Sequence, residues 1–224
     1  MFEGFSERSF DFLFELSVNN DRRWFQPRKA EFEEVLNRPM KALANETLAL
    51  MQAAFPEYNF MLHTSRIYRD ARRLFGRGPY HEHMWFSIQS GVDKARGPRF
   101  WFVIHPEGYS HGLGDWTGTP AFLEAFRKKI VAHPARFEEI LRTIPDPKQA
   151  MLRGDTYKRP KGHISETIDP WYNRRLLDLE YETHFGKEIY TDRVPELLAG
   201  SYTRLLPLFD FLFEAYRLAQ EAED

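Results

Sequence analysis

Between Phe60 and Ile104 the apolar pattern becomes one of short runs with period-two alternation, Leu62–Tyr68, Met84–Gln89 and Phe100–Ile104, whereas on either side apolar residues recur at three- and four-residue spacing. A period of two places alternate side chains on opposite faces of a strand, and a period near 3.6 lays them along one face of a helix. A chain whose middle section adopts the two-residue period is expected to place its sheet there, between helical flanks. Gly76, Gly78, Pro79, Gly91, Gly97 and Pro98 supply turns between the runs, and connections this short suit antiparallel pairing, because parallel strands need a long crossover. The expected architecture is an α+β fold, one domain over residues 1–224, with a mainly antiparallel central sheet flanked by helices and long N- and C-terminal helices. No internal repeat, low-complexity tract or linker divides the chain.

The flanks carry their own boundary signals. Ser6 can cap a first helix bearing Phe10, Leu13 and Phe14, which ends at Asn19-Asn20-Asp21. Asp21 is a second candidate cap, and Pro27 suits the first turn of a long helix with Phe32, Val35, Leu36, Met40, Leu43, Leu48 and Met51 inward, ending near Phe55-Pro56. After the sheet, Gly108, Gly112, Gly114 and Gly118 punctuate the chain, and Thr119-Pro120 opens a helix through Phe122, Phe126 and Ile130. A second helix is expected over Pro134–Leu141, an irregular basic stretch over Met151–His163, a helix over Trp171–Leu177, a strand over Leu179–His184 and a final helix over Pro195–Ala219, kinked or restarted at Pro207.

Of the 224 residues 42% are hydrophobic and twenty are Phe, enough for a large aromatic core. A net charge of −2 gives no global drive toward nucleic acid or anionic membrane, so any such affinity must be local. Zero cysteines exclude disulfides, thiolate nucleophiles and cysteine-ligated metals. The N-terminal residues lack a basic region followed by an apolar one, and no apolar run approaches the ~20 residues of a membrane span. A cytoplasmic protein is expected.

Local charge concentrates in Arg66–Tyr80, with five arginines against the single acid Asp70. The guanidinium fork matches phosphate and carboxylate, and a glycine-bearing turn can add backbone N–H groups. Candidate anion-binding residues are Arg66, Tyr68, Arg69, Arg72, Arg77 and Tyr80, joined by Lys158, Arg159 and Lys161 from the second basic stretch if the two converge. On an extended strand Arg66, Tyr68 and Asp70 share one face and Arg69 the other, so the arginines cannot all point one way. The alternative is a solvated edge in which Arg66 or Arg69 pairs with a carboxylate. His81 and His83, about 6.6 Å apart along a strand, could serve a metal only with further donors such as Asp70, His63, His105 or His163, and no sequence motif supplies them. No Walker loop or nucleophile elbow is present. Asn20–Phe25 reads as a capped helix start with Trp24 and Phe25 entering the core.

Phe2-x-Gly4-Phe5, Asn19-Asn20-x-x-x-Trp24-Phe25, Arg66-Ile67-Tyr68-Arg69-Asp70-x-Arg72, Pro79-Tyr80 and Lys158-Arg159-Pro160-x-Gly162 occur in an order that resembles the uncharacterised bacterial domain-of-unknown-function family 2461, over nearly the whole chain. The resemblance implies a stand-alone domain of this length and no catalytic assignment. Around Pro79-Tyr80 the family pattern carries lysines, where this chain has Arg77-Gly78 before and His81 after, which argues against a fixed catalytic lysine. Three functions stay open: a site for a phosphate- or carboxylate-bearing small molecule, enzymatic or not; a nucleic-acid-binding module using Tyr68, Tyr80, Trp85 and Trp101 beside the basic residues, against which the net acidity counts; and a protein-interaction domain. Neither a cofactor nor an oligomeric state can be read from the residues.

Overall fold

The computed structural model describes residues 1–74, 76–90, 97–183 and 186–222. Phe75, Gly91, His184 and the Arg73 side chain lie outside the described residues. The first flank is helical from the expected start: α1 (Glu7–Val18) follows Ser6, whose N–H donates to Ser9 Oγ at 3.0 Å. Asp21 caps α2 (Arg22–Phe25), its Oδ1 accepting from the N–H groups of Arg23 and Trp24 at 2.7 and 2.9 Å. The single long helix expected from Pro27 to Phe55 is instead a succession: a 3₁₀ turn at Gln26–Arg28, α3 (Lys29–Phe32), a π turn at Glu33–Asn37, and α4 (Arg38–Ala54). Pro39 has no N–H to give to the carbonyl four residues back, that of Val35. The buried Ser9 hydroxyl of α1 donates to that carbonyl at 2.7 Å, so the wider turn and the α1 contact answer the same proline.

The strands are β1 (Phe60–Thr64), β2 (Met84–Ser90), β3 (Arg99–His105) and β4 (Gly108–Asp115), then, after α5 (Pro120–Ala132) and α6 (Pro134–Thr143), β5 (Ala150–Arg153), α7 (Asp169–Tyr172) and β6 (Leu177–Thr183). They form one six-stranded antiparallel sheet in the order β1-β2-β3-β4-β6-β5, an α+β fold as expected. Four particulars differ from the sequence reading. The first strand stops at Thr64 rather than Tyr68. The glycine-punctuated stretch after Ile104 is β4: an added Cβ at Gly114 would stand 2.6 Å from the carbonyl oxygen of Leu177, so glycine here permits close strand pairing rather than breaking the strand. The start of the basic stretch is β5, with Leu152 opposite Leu179. The expected helix over Trp171–Leu177 is the single turn α7, because Leu177 already belongs to β6.

Thr119 caps α5 as expected, its Oγ1 accepting from Phe122 N–H at 3.3 Å. The last helix, α8 (Val194–Glu221), runs through Pro207 without a restart. Pro207 and Thr203, the residue whose carbonyl a proline here cannot serve, both lie on the exposed side, where water tolerates the interruption. Among the described residues no helix is long and apolar enough to cross a membrane.

The chain divides into two compact units. The first comprises Met1–Ile88, Trp101–His111 and Glu182–Ala199, and the second Gln89–Phe100, Gly112–Tyr181 and Gly200–Asp224. The core of the first is aromatic: Phe25 lies against Phe12, Phe32 and Tyr80, and Phe102 stacks on Phe5 and Phe86. In the second, Phe100 stacks on Tyr202 and Phe209, while Phe137 meets Phe126, Trp171 and Phe211.

Candidate anion-binding site

In the first unit, the segment after β1 doubles back on itself. Arg69 N–H donates to Pro79 O at 2.8 Å and His81 N–H to Ile67 O at 2.7 Å, on either side of the facing pair Tyr68 and Tyr80. This short antiparallel contact carries the loop 70–78. It is held from the α1–α2 connection by Asn20, whose Oδ1 accepts from Tyr80 N–H and whose Nδ2 donates to Tyr80 O, each at 3.0 Å. A carboxamide is the one short side chain that offers a donor and an acceptor to both backbone groups of a single residue. Its second Nδ2 bond goes to Glu82 Oε1, also at 3.0 Å. Gly78 makes room for this approach, since a Cβ there would stand 2.3 Å from Asn20 Cγ. The Tyr80 ring, 1% exposed, stacks on Phe25 at 4.1 Å, and burial pushes its hydroxyl pKa up, partly offset by a hydrogen bond with Gln26. Asn20→Ala should destabilise the protein by about 2 kcal/mol, because it leaves the Tyr80 N–H without its acceptor and removes one of the two donors to Tyr80 O, which keeps Arg69 Nε. A urea titration with unchanged slope and a lower midpoint is the expected readout.

The arginines that look equivalent in the sequence have different fates. Arg69, with its side chain 10% exposed, donates from Nε to Tyr80 O at 2.6 Å and brings Nη2 to 3.6 Å from Glu82 Oε1. It is part of the clasp. Arg72 forms a two-pronged pair with Asp70, 3.0 and 2.9 Å, on the surface. Arg77 is exposed and donates weakly from Nε to Leu74 O at 3.4 Å. Arg66 differs: it lines a groove of about 560 Å³ together with Tyr68, His63, Asn37, Glu33 and Lys41. Glu33 accepts from Asn37 Nδ2 at 2.6 Å, and among the described residues neither the Arg66 nor the Lys41 side chain has a hydrogen-bond or ion-pair partner. Lys41 and Asn37 were not visible as site residues, because a helix-surface lysine and asparagine carry no pattern of their own.

His81 and His83 stand with ring centroids 5.3 Å apart. Burial, then the neighbouring His81 and Arg69 charges, pushes the His83 pKa down to about 4. Burial followed by Arg69 and Arg77 lowers that of His81. Both imidazoles are therefore held toward the neutral form. Among the described residues no group of three or more His, Asp or Glu is placed to hold a metal ion; His105 pairs with Glu107 at 3.0 Å and His163 with Asp169 at 2.5 Å.

The second basic stretch belongs to the second unit. Asn173 orders it: Oδ1 accepts from Lys161 N–H at 2.6 Å and Nδ2 donates to Gly162 O at 3.1 Å. Lys158 and Arg159 are exposed, with no ion pair among the described residues, and Lys161 Nζ lies 4.6 Å from the Tyr157 ring centroid. Within the first unit, then, the structure gathers Arg66 and Tyr68 at one groove and commits Arg69 and Tyr80 to the clasp.

A family model described as "Conserved hypothetical protein (DUF2461)" matches residues 8–211. The match takes in every candidate residue named above. Among curated proteins nothing matches.

Proposed function

The chain belongs to the DUF2461 family of conserved hypothetical proteins, and from that premise we propose that it binds a small molecule bearing a phosphate or carboxylate in the groove of Arg66 and Lys41. The observation that carries this reading is the presence of these two cations in one groove, neither in an ion pair among the described residues, with a single carboxylate, Glu33, which accepts from Asn37, so that the lining keeps an excess of positive charge. Like charges facing one cavity repel, and an entering anion replaces that repulsion with attraction to both. Arg66 offers a planar fork and Lys41 a mobile point charge, a combination suited to an oxyanion. The groove's volume falls in the range of small-molecule sites, roughly 300–1,000 Å³. The clasp of Asn20, Arg69 and Tyr80 supports the site by fixing the backbone that follows Arg66, so that little ordering is required on binding.

Isothermal titration with inorganic phosphate, acetate and a panel of sugar phosphates tests the reading. Arg66→Gln and Lys41→Gln should each weaken the tightest of these ligands about tenfold or more, the scale of one charge-assisted hydrogen bond, while Arg72→Gln, already paired with Asp70, should leave it unchanged. Equal affinity in an Arg66→Gln, Lys41→Gln double variant would sink the proposal.

A further inference from the structure

The second unit has a groove of its own, about 620 Å³, lined in part by Pro120 and Leu123 of α5, Leu176, Tyr157, Asp155 and Arg175. Three of these walls are aliphatic and the fourth is an aromatic ring. The charged members are one arginine and one aspartate, and among the described residues neither side chain has an ion-pair partner.

A second cation stands against the ring of Tyr157. Arg127 lies one helical turn beyond Leu123, on the same face of α5, and its guanidinium carbon is 5.4 Å from the Tyr157 ring centroid. Its Nη1 is buried without a hydrogen-bond partner among the described residues, a state that is unfavourable unless an acceptor is supplied. Lys161 approaches the same ring. The groove therefore combines an apolar lining with an exposed guanidinium, and an unsatisfied buried donor stands beside its aromatic wall.

We propose that this groove is a separate binding site for a small monocarboxylate with an apolar body. The apolar part packs against Pro120, Leu123 and Leu176, and the carboxylate is drawn to the fork of Arg175, whose planar geometry it matches. Asp155 in the lining keeps the excess of positive charge small, which favours a monoanion over a phosphate dianion. The proposal stands on different residues from the Arg66 groove and does not depend on it.

The test uses 3-phenylpropionate as probe, with its neutral amide and 3-phenylpropylamine as controls, titrated into the full chain and followed by calorimetry and amide chemical shifts. The carboxylate should bind saturably and shift the Tyr157 and Arg175 amides, and the two controls should not. Arg175→Gln, at an exposed position that leaves the fold intact, should weaken the binding that shifts the Tyr157 amide at least tenfold, and Arg72→Gln, paired with Asp70 on the surface, should leave it unchanged. Binding of the amide as tight as that of the acid would overturn the proposal. So would unchanged affinity in Arg175→Gln, or no saturable binding of the carboxylate by 20 mM, roughly the weakest dissociation constant such a titration can define.

Discussion

Phe25→Ala should lower the free energy of unfolding by about 4 kcal/mol, the cost of emptying a large aromatic site in a packed core. The side chain is 0% exposed, stacks on Tyr80 at 4.1 Å, meets Tyr68 edge-on at 6.0 Å and touches Phe12 and Phe32. Truncation removes the surface on which Tyr80 rests, so the loss extends to the clasp that Asn20 and Arg69 make with the Tyr80 backbone. Set against a typical total of roughly 5–15 kcal/mol, this is a large fraction. Phe25→Leu, which keeps most of the volume, should cost much less. Urea denaturation monitored by fluorescence measures both; a cost for Phe25→Ala below that for Phe25→Leu would refute the stacking account.

Acidification should destabilise the protein between pH 6.5 and 4, a loss that begins well before the carboxylates as a class are protonated. His83 has its ordinary value of 6.5 in the unfolded chain and about 4 in the folded one. Between these limits the unfolded chain takes up a proton that the native protein refuses, so stability present above pH 6.5 is lost as the pH falls, by about 3 kcal/mol in full from this group. His81, lowered for the same reasons, adds in the same direction. The groups that face His83 are His81, Arg69, Glu82 and His105, and only Glu82 opposes the shift. Thermal midpoints recorded across this window should fall with pH for the unmodified chain and fall less for His83→Gln. Parallel profiles in the two proteins would show that His83 is not the cause.

What could be read in the sequence was what local chemistry decides. Ser6, Asp21 and Thr119 stand before the helices they were expected to begin, and β2 and β3 follow the alternation of Met84–Gln89 and Phe100–Ile104. Features that depend on a distant partner were invisible. Pro39 breaks the long second helix into segments, but the wide turn it requires is completed by Ser9, far away in α1. Gly114 looks like a strand breaker until Leu177 and Asp178 come alongside. The same holds at the site: Arg66 and Arg69 are alike as letters, and only the return of the chain at Pro79–Glu82 gives Arg69 its carbonyl and carboxylate while leaving Arg66 open toward Lys41. Asn20 was read as part of a helix start, and its grip on Tyr80 had no local signal.

That grip also bears on how the chain acquires its structure. Asn20 and Tyr80 are 60 positions apart, so closing them together costs the entropy of a long loop that helix formation in the first 54 residues does not recover. The local helices can form early, but the return of the chain that faces Tyr68 with Tyr80 waits for a contact of high sequence separation. Asn20→Ala should therefore speed unfolding while barely changing the refolding rate, and on a ribosome the pairing of Tyr68 with Tyr80 should form only after residue 80 has left the exit tunnel.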